Sequence, residues 1–229
     1  MKAKQPRQTK LMTKQGKKWF VAALILTAVF VVLTITVKYV DQKNIGSQVI
    51  GWATINLWWR DIMGVRNFWQ IASHIFAAIT LIILVMFLVW QALALLRRKS
   101  FRAMPRHWWF FDLTLIALAL CYIVFQIMVI NFRPLLIDGV AELSYPSSHV
   151  LLLATLWPVF MLTLSREVKN RTWLRVASII GVIVMVVGII ARTLSGYHWL
   201  TDILGGILLG MTLTAWYQTM TARYDLPAN

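Results

Sequence analysis

An all-α, polytopic membrane protein with six transmembrane helices is the fold class that this sequence predicts, on three observations. Hydrophobic residues fill 59% of the 229 positions and charged residues only 14%, with a mean hydropathy of +0.69, which is too apolar for an ordinary soluble domain. The apolar residues gather into runs long enough to cross a bilayer. The basic residues fall between these runs with a one-sided bias.

Taken in order, residues 1–18 carry Lys2, Lys4, Arg7, Lys10, Lys14, Lys17 and Lys18 and no acid, so this segment is predicted to stay in the cytoplasm. Residues 19 to about 40 form the first span. The run is longer than a signal-peptide core and has no small-residue cleavage site before Asp41, so it is retained. Residues 41 to about 68 mix Gly46, Gly51, Asn44 and Asn56 with Trp52, Trp58 and Trp59, a blend suited to the headgroup interface rather than to a span. The second span covers about 68–96 and ends at Arg97-Arg98-Lys99. The third runs over about 108–131, the fourth 149–164, the fifth 173–192 and the sixth 198–220. Residues 19–220 thus form a single membrane domain, and 221–229 a cytoplasmic tail.

Charge placement tests this plan independently of hydropathy. The segments predicted inside hold most of the 23 Lys and Arg. Those predicted outside hold only Lys38, Lys43, Arg60, Arg66, Arg133 and Arg192. This is the positive-inside bias, and it puts residues 131–149 and 192–202 on the extracytoplasmic side. The net charge of +15 invites a nucleic-acid reading, but the bases are interleaved with spans rather than gathered in one patch, so no nucleic-acid partner is predicted. The single cysteine, Cys121, sits in an apolar run and offers neither a disulfide framework nor a cysteine metal cluster.

Chemistry is predicted where three short motifs meet that outer face. In Arg192-Thr-Leu-Ser-Gly-Tyr-His-Trp-Leu-Thr-Asp202, a helix running from His198 would put His198 and Asp202 at i and i+4, a base and its orienter. Arg192, ahead of the Ser195-Gly196 turn signal, offers a fork of donors suited to a phosphoryl group. In Asn131-Phe-Arg133-Pro134, the proline is a stop for the third span and leaves Arg133 at the mouth. In Tyr145-Pro-Ser147-Ser148-His149, Ser147 or Ser148 is predicted to cap the fourth span and leave amides for an anion.

These residues resemble the tripartite signature of the type 2 phosphatidic acid phosphatase superfamily, which shares its helical core with vanadium-dependent haloperoxidases. The signature reads Lys, six residues, Arg-Pro; then Pro-Ser-Gly-His; then Ser-Arg, five residues, His, three residues, Asp. Arg133-Pro134, Pro146-Ser147 with His149, and Arg192, His198 and Asp202 match it, and the resemblance covers about 126–206. Three positions depart: Gln126 stands for the lysine, Ser148 for the glycine, and Ala191 for the serine before the last arginine.

The resemblance implies that His198 attacks phosphorus with Asp202 on its other ring nitrogen, that His149 protonates the leaving oxygen and then activates water, and that Arg133, Arg192, Ser147, Ser148 and Gln126 hold the phosphate. It implies no metal and no other cofactor. The predicted substrate is a lipid phosphate or diphosphate, such as a polyprenyl diphosphate, phosphatidylglycerophosphate, phosphatidate or a lipid A phosphate, met among membrane lipids at the outer face of the cytoplasmic membrane. Transfer to a lipid acceptor through the same site, or a non-catalytic lipid-binding or transport role, are the alternatives.

Taken singly, Arg133 and Arg192 read equally as snorkelling interfacial arginines and His149 as a helix-end histidine; their joint occurrence at three same-side span ends carries the prediction. His74, a turn or two into the second span from the outer side, reads equally as a pocket-lining residue or as a polar side chain satisfied between helices, and is not included in the predicted site. Asp112 is predicted to pair with a neighbouring base, and Asp138 and Glu142 to be solvated loop acids. Gly205, Gly206 and Gly210 are predicted to permit close helix packing.

Overall fold

The computed structural model describes residues 13–45, 48–137 and 139–224. Lys2, Lys4, Arg7, Lys10, the loop acid Asp138 and all but the start of the tail at 221–229 lie outside them. The elements are α1 (Lys14–Tyr39), a short hairpin β1 (Lys43–Ile45) and β2 (Gln48–Ile50), α2 (Ala53–Met63), α3 (Asn67–Arg98), α4 (Arg106–Ile127), α5 (Ser148–Glu167), α6 (Arg171–Leu194) and α7 (Leu200–Tyr224). All of these helices except α2 are long and apolar enough to span a bilayer, six in number. Large apolar side chains cover their outer faces, among them Ile25, Val85, Ile116 and Ile183, each more than half exposed. A surface of that kind is stable only against hydrocarbon, so the chain is an all-α, multi-pass membrane protein.

The helix limits have local causes. Thr13 Oγ1 accepts from Gly16 N at the start of α1, and Asn170 Oδ1 accepts from Trp173 N at the start of α6. Gly64, at φ 60°, closes α2 and lets the chain turn into α3. Several predicted limits shift, two of them at the motif-bearing end. Helix α4 ends at Ile127 rather than at 131, because the chain is then drawn into a cross-linked loop: Ser144 N donates to Asn131 O and Arg133 N to Glu142 O. Helix α7 begins at Leu200 rather than at His198.

Helices α5 and α7 form the interior pair, while the other four spans bury one edge each. The glycines of α7 make this close contact possible, as predicted. A Cβ on Gly206 would lie 2.9 Å from Val150 Cβ, and one on Gly210 would lie 2.6 Å from Ala154 Cβ. Toward the other end the core is aromatic, with Phe87 stacked on Phe160 at 4.6 Å between centroids and Phe111 beside them. Asp112 accepts from Gln91 Nε2 at 2.7 Å, so its partner is an amide and not the predicted base. Near that end Glu167 Oε1 accepts from Trp108 Nε1 at 2.9 Å and lies 2.8 Å from His107 Nε2.

Antiparallel spans bring the C-terminal ends of α4 and α6 together with the N-terminal ends of α3, α5 and α7. The opposite end of the bundle carries Arg97, Arg98, Lys99, Arg102, Arg106, Arg166, Lys169 and Arg171. The hairpin and α2 are tied to the motif-bearing end. Gly51 N donates to Asn131 Oδ1, Asn56 Nδ2 to Thr201 Oγ1, and Arg66 N to Ser195 O.

Candidate active site

The turn between α6 and α7 places the two most buried charged groups. Arg192 lies in the last turn of α6; Ser195 Oγ donates to its carbonyl and accepts from Tyr197 N. Gly196 then takes φ 72°, a left-handed conformation that favours glycine, and it lies so close to Gly64 O that no Cβ fits. The chain folds back and brings Arg192 Nη2 to 2.7 Å from His198 Nε2.

His198 is not helical, which corrects the predicted i, i+4 geometry; it precedes α7 by two positions. Its contact with Asp202 is made through the helix cap instead. Asp202, third in α7, reaches back so that Oδ2 accepts from Trp199 N at 3.0 Å, half of a capping box, and the same oxygen lies 3.1 Å from His198 Nδ1. A carboxylate in a first helical turn is also favoured by the helix dipole. Asp202 is fully buried and His198 is 4% exposed.

Arg133 completes the group from the loop between α4 and α5. Its Nη1 lies 3.3 Å from His198 Nε2, and its Nε lies 2.9 Å from Glu142 Oε2. Glu142 is exposed, as predicted for a solvated loop acid, and in addition it pairs with Arg133. Trp199 Nε1 donates to Phe132 O, which fastens this loop to α7.

Arginine donates and never accepts, so two guanidinium groups aimed at His198 Nε2 assign that atom a lone pair and put the ring proton on Nδ1, toward Asp202. Burial first, then the charges of Arg192, Arg133 and His149, hold His198 well below the ordinary imidazole value, while a hydrogen bond with the Ser144 backbone acts the other way. The ring stays neutral with its lone pair facing two cations, an arrangement with room in its electrostatics for an anion.

Gln126, Arg133, Ser144, Ser148 and His198 line one small polar cavity. Ser147 is the residue before α5, but its hydroxyl makes no cap bond, a correction to the predicted role; it is buried without a partner, and its amide donates to Asp202 O. His149, second in α5, is reached through two residues outside the predicted site, Gln70 and His74. Arg192 Nη1 donates to Gln70 Oε1 at 2.6 Å, Gln70 Nε2 lies 3.0 Å from His74 Nε2, and His74 Nδ1 lies 3.1 Å from His149 Nε2. The signal that points to them is an i, i+4 pair of polar residues on one face of an otherwise apolar span.

Residues 121–225 match the PAP2 superfamily, the type 2 phosphatidic acid phosphatase superfamily that the three motifs resemble. Among solved structures it is similar to the transmembrane PAP2-type phosphatidylglycerolphosphate phosphatase from Bacillus subtilis. The identity is 18%, the coverage 93% of this chain and 98% of that one, and the TM-score 0.45. No curated protein matches the chain.

Proposed function

We propose that the protein is a membrane phosphatase that cleaves a phosphomonoester or diphosphate from a lipid through a phosphohistidine on His198. One observation carries this reading: a buried, neutral histidine whose lone pair on Nε2 faces the donors of Arg192 and Arg133, with its other nitrogen on Asp202. Such a nitrogen is a nucleophile beside a phosphate clamp. In the first step Nε2 bonds to phosphorus and the bond to the leaving oxygen breaks, with His149 giving that oxygen a proton. Asp202 stabilises the cation that forms on the His198 ring. In the second step His149 takes a proton from water, the hydroxide bonds to phosphorus, and the P–N bond breaks to release phosphate. Arg133 and Arg192 stabilise the charge on the phosphoryl oxygens, with Ser147, Ser148 and Gln126 as additional donors. Side chains supply all of this chemistry, so a chelator is expected to leave turnover unchanged.

A lipid substrate is supported by the surroundings of His149. A cleft of about 440 Å³, lined by apolar residues of α3, α4 and α5 that include Leu81, Leu84, Leu115 and Leu152, ends at Ser148 and His149. An acyl or prenyl chain fits that lining, and its phosphate would then lie at the polar end. Polyprenyl diphosphate, phosphatidylglycerophosphate, phosphatidate and lipid A phosphate all satisfy this description. The base-rich end of the bundle, opposite the site, supports cytoplasmic termini and an extracytoplasmic site in the cell membrane.

The test is phosphate release by the purified protein from each of these lipids in detergent, with EDTA present. Release from at least one, reduced about 10³-fold or more by His198→Ala and by His149→Ala, is the expected result. Labelled lipid product without free phosphate would establish transfer to an acceptor instead. Lipid binding without turnover in any arm would overturn the enzymatic reading.

A further inference from the structure

Gln70 and His74 lie on α3, outside the matched residues 121–225, yet they join the phosphate clamp to the candidate general acid by an unbroken series of contacts. The direction of every hydrogen bond in that series follows from the arginine. Arg192 only donates, so Gln70 must present Oε1 to it and Nε2 to the other side. Gln70 Nε2 then donates to His74 Nε2, which therefore carries the lone pair. In neutral His74 the proton is on Nδ1 and is donated to His149 Nε2. His149 in turn holds its own proton on Nδ1, an atom that is buried without a partner.

The same logic fixes what must change when His149 gains a second proton. A protonated Nε2 on His149 donates, so His74 Nδ1 must accept and the His74 proton must move to Nε2. That proton then meets the Gln70 amide, which has to turn its oxygen toward His74 and give up Arg192 Nη1. A phosphoryl oxygen that takes over Nη1 releases Gln70 to make this turn. We propose that His74, held by Gln70, is a positioning residue for His149: it selects the nitrogen of His149 that carries the proton, and through Gln70 it ties the loading of this acid to occupancy of Arg192 by phosphate. The inference rests on the phosphatase reading above and deepens it. The charged and titratable groups that act on His149 are His74 on α3, Arg133 on the α4–α5 loop, Arg192 on α6, and His198 just before α7. Among them His74 is the one in hydrogen-bond contact with His149, and it is exposed at the rim.

The test compares wild type, His74→Phe, His74→Asn and His198→Ala, purified in detergent, on whichever of the four lipids named above the wild type hydrolyses. Asparagine keeps a polar atom near the place of Nδ1 and loses the link to Gln70, whereas phenylalanine keeps only the packing. His74→Phe is expected to lower kcat tenfold or more with KM changed less than threefold, and to move the alkaline limb of kcat to lower pH. His74→Asn is expected to recover part of both, the remaining deficit measuring the lost link to Gln70. In 15N-histidine spectra without substrate, the His149 ring carries its proton on Nδ1 in wild type, and this preference is lost in His74→Phe. A His74→Phe protein with wild-type kcat and pH limbs overturns the proposal, and so does equal impairment of both variants with unmoved limbs, which is a packing effect. Wild type inactive on all four lipids, or active His198→Ala, overturns the phosphatase reading itself.

Discussion

At the scale of single residues, the site is governed by which atoms are able only to donate. Both arginines converge on one nitrogen of His198, and Asp202 Oδ2 takes the other nitrogen together with the Trp199 amide. Asp202→Asn removes the charge that offsets an imidazolium and replaces one carboxylate oxygen by an NH2 donor, which weakens the hold on the Nδ1 proton. Turnover is expected to fall by about two to four orders of magnitude, with the protein still inserted and monodisperse in detergent. Arg133→Gln tests the electrostatics. Arg133 is one of the cations that keep His198 from protonating, so its removal raises the pH at which the ring becomes neutral. The acid limb of kcat/KM, which reports the free enzyme, is expected to move to higher pH. Of these residues, Arg133, His149, Arg192, His198 and Asp202 were legible in the sequence because each belongs to a short motif at a span end. Their legibility did not depend on a correct local structure: His198 meets Asp202 through a helix cap, not along a helix face. Gln70, His74 and Glu142 were not legible as partners, since each contact joins positions that nothing local connects, Gln70 and Arg192 being 122 residues apart.

At the scale of elements, the spans were legible from hydropathy because lipid-facing helices must be apolar over a fixed length. What hydropathy does not carry is how they are paired. Helices α5 and α7 meet backbone to backbone through Gly206 and Gly210, and this contact sets His149 and Asp202 on neighbouring helix ends. Gly210→Leu drives a side chain into Ala154 and the backbone of α5. It is expected to destabilise the protein by about 1–3 kcal/mol or more, seen as a lower unfolding temperature in detergent, while a lipid-facing change such as Ile183→Leu leaves that temperature within a degree or so. The hairpin and α2 show the same division. Their tryptophans marked an interfacial segment, but the bonds from Gly51 and Asn56 to Asn131 and Thr201 that fasten it over the site depend on tertiary partners.

At the scale of the whole molecule, the charge asymmetry between the two ends predicts orientation. With Cys121 replaced by alanine, a cysteine at Leu136 is expected to react with a membrane-impermeant maleimide in intact cells, and one at Lys169 only after permeabilisation. The reverse pattern would put the site in the cytoplasm. The cleft between α3, α4 and α5 has a further consequence. Its lining is apolar, whereas the small cavity that shares Ser148 with it is polar, so the two products of the proposed cleavage would have different destinations: an alcohol that partitions into the leaflet and an inorganic anion that departs into water. In the proposed two-step sequence the alcohol is formed first, and phosphate only after the phosphohistidine is hydrolysed. Inhibition by added alcohol would then scale with its mole fraction in the micelle, and inhibition by added orthophosphate with its bulk concentration, as two separable effects on a single turnover cycle.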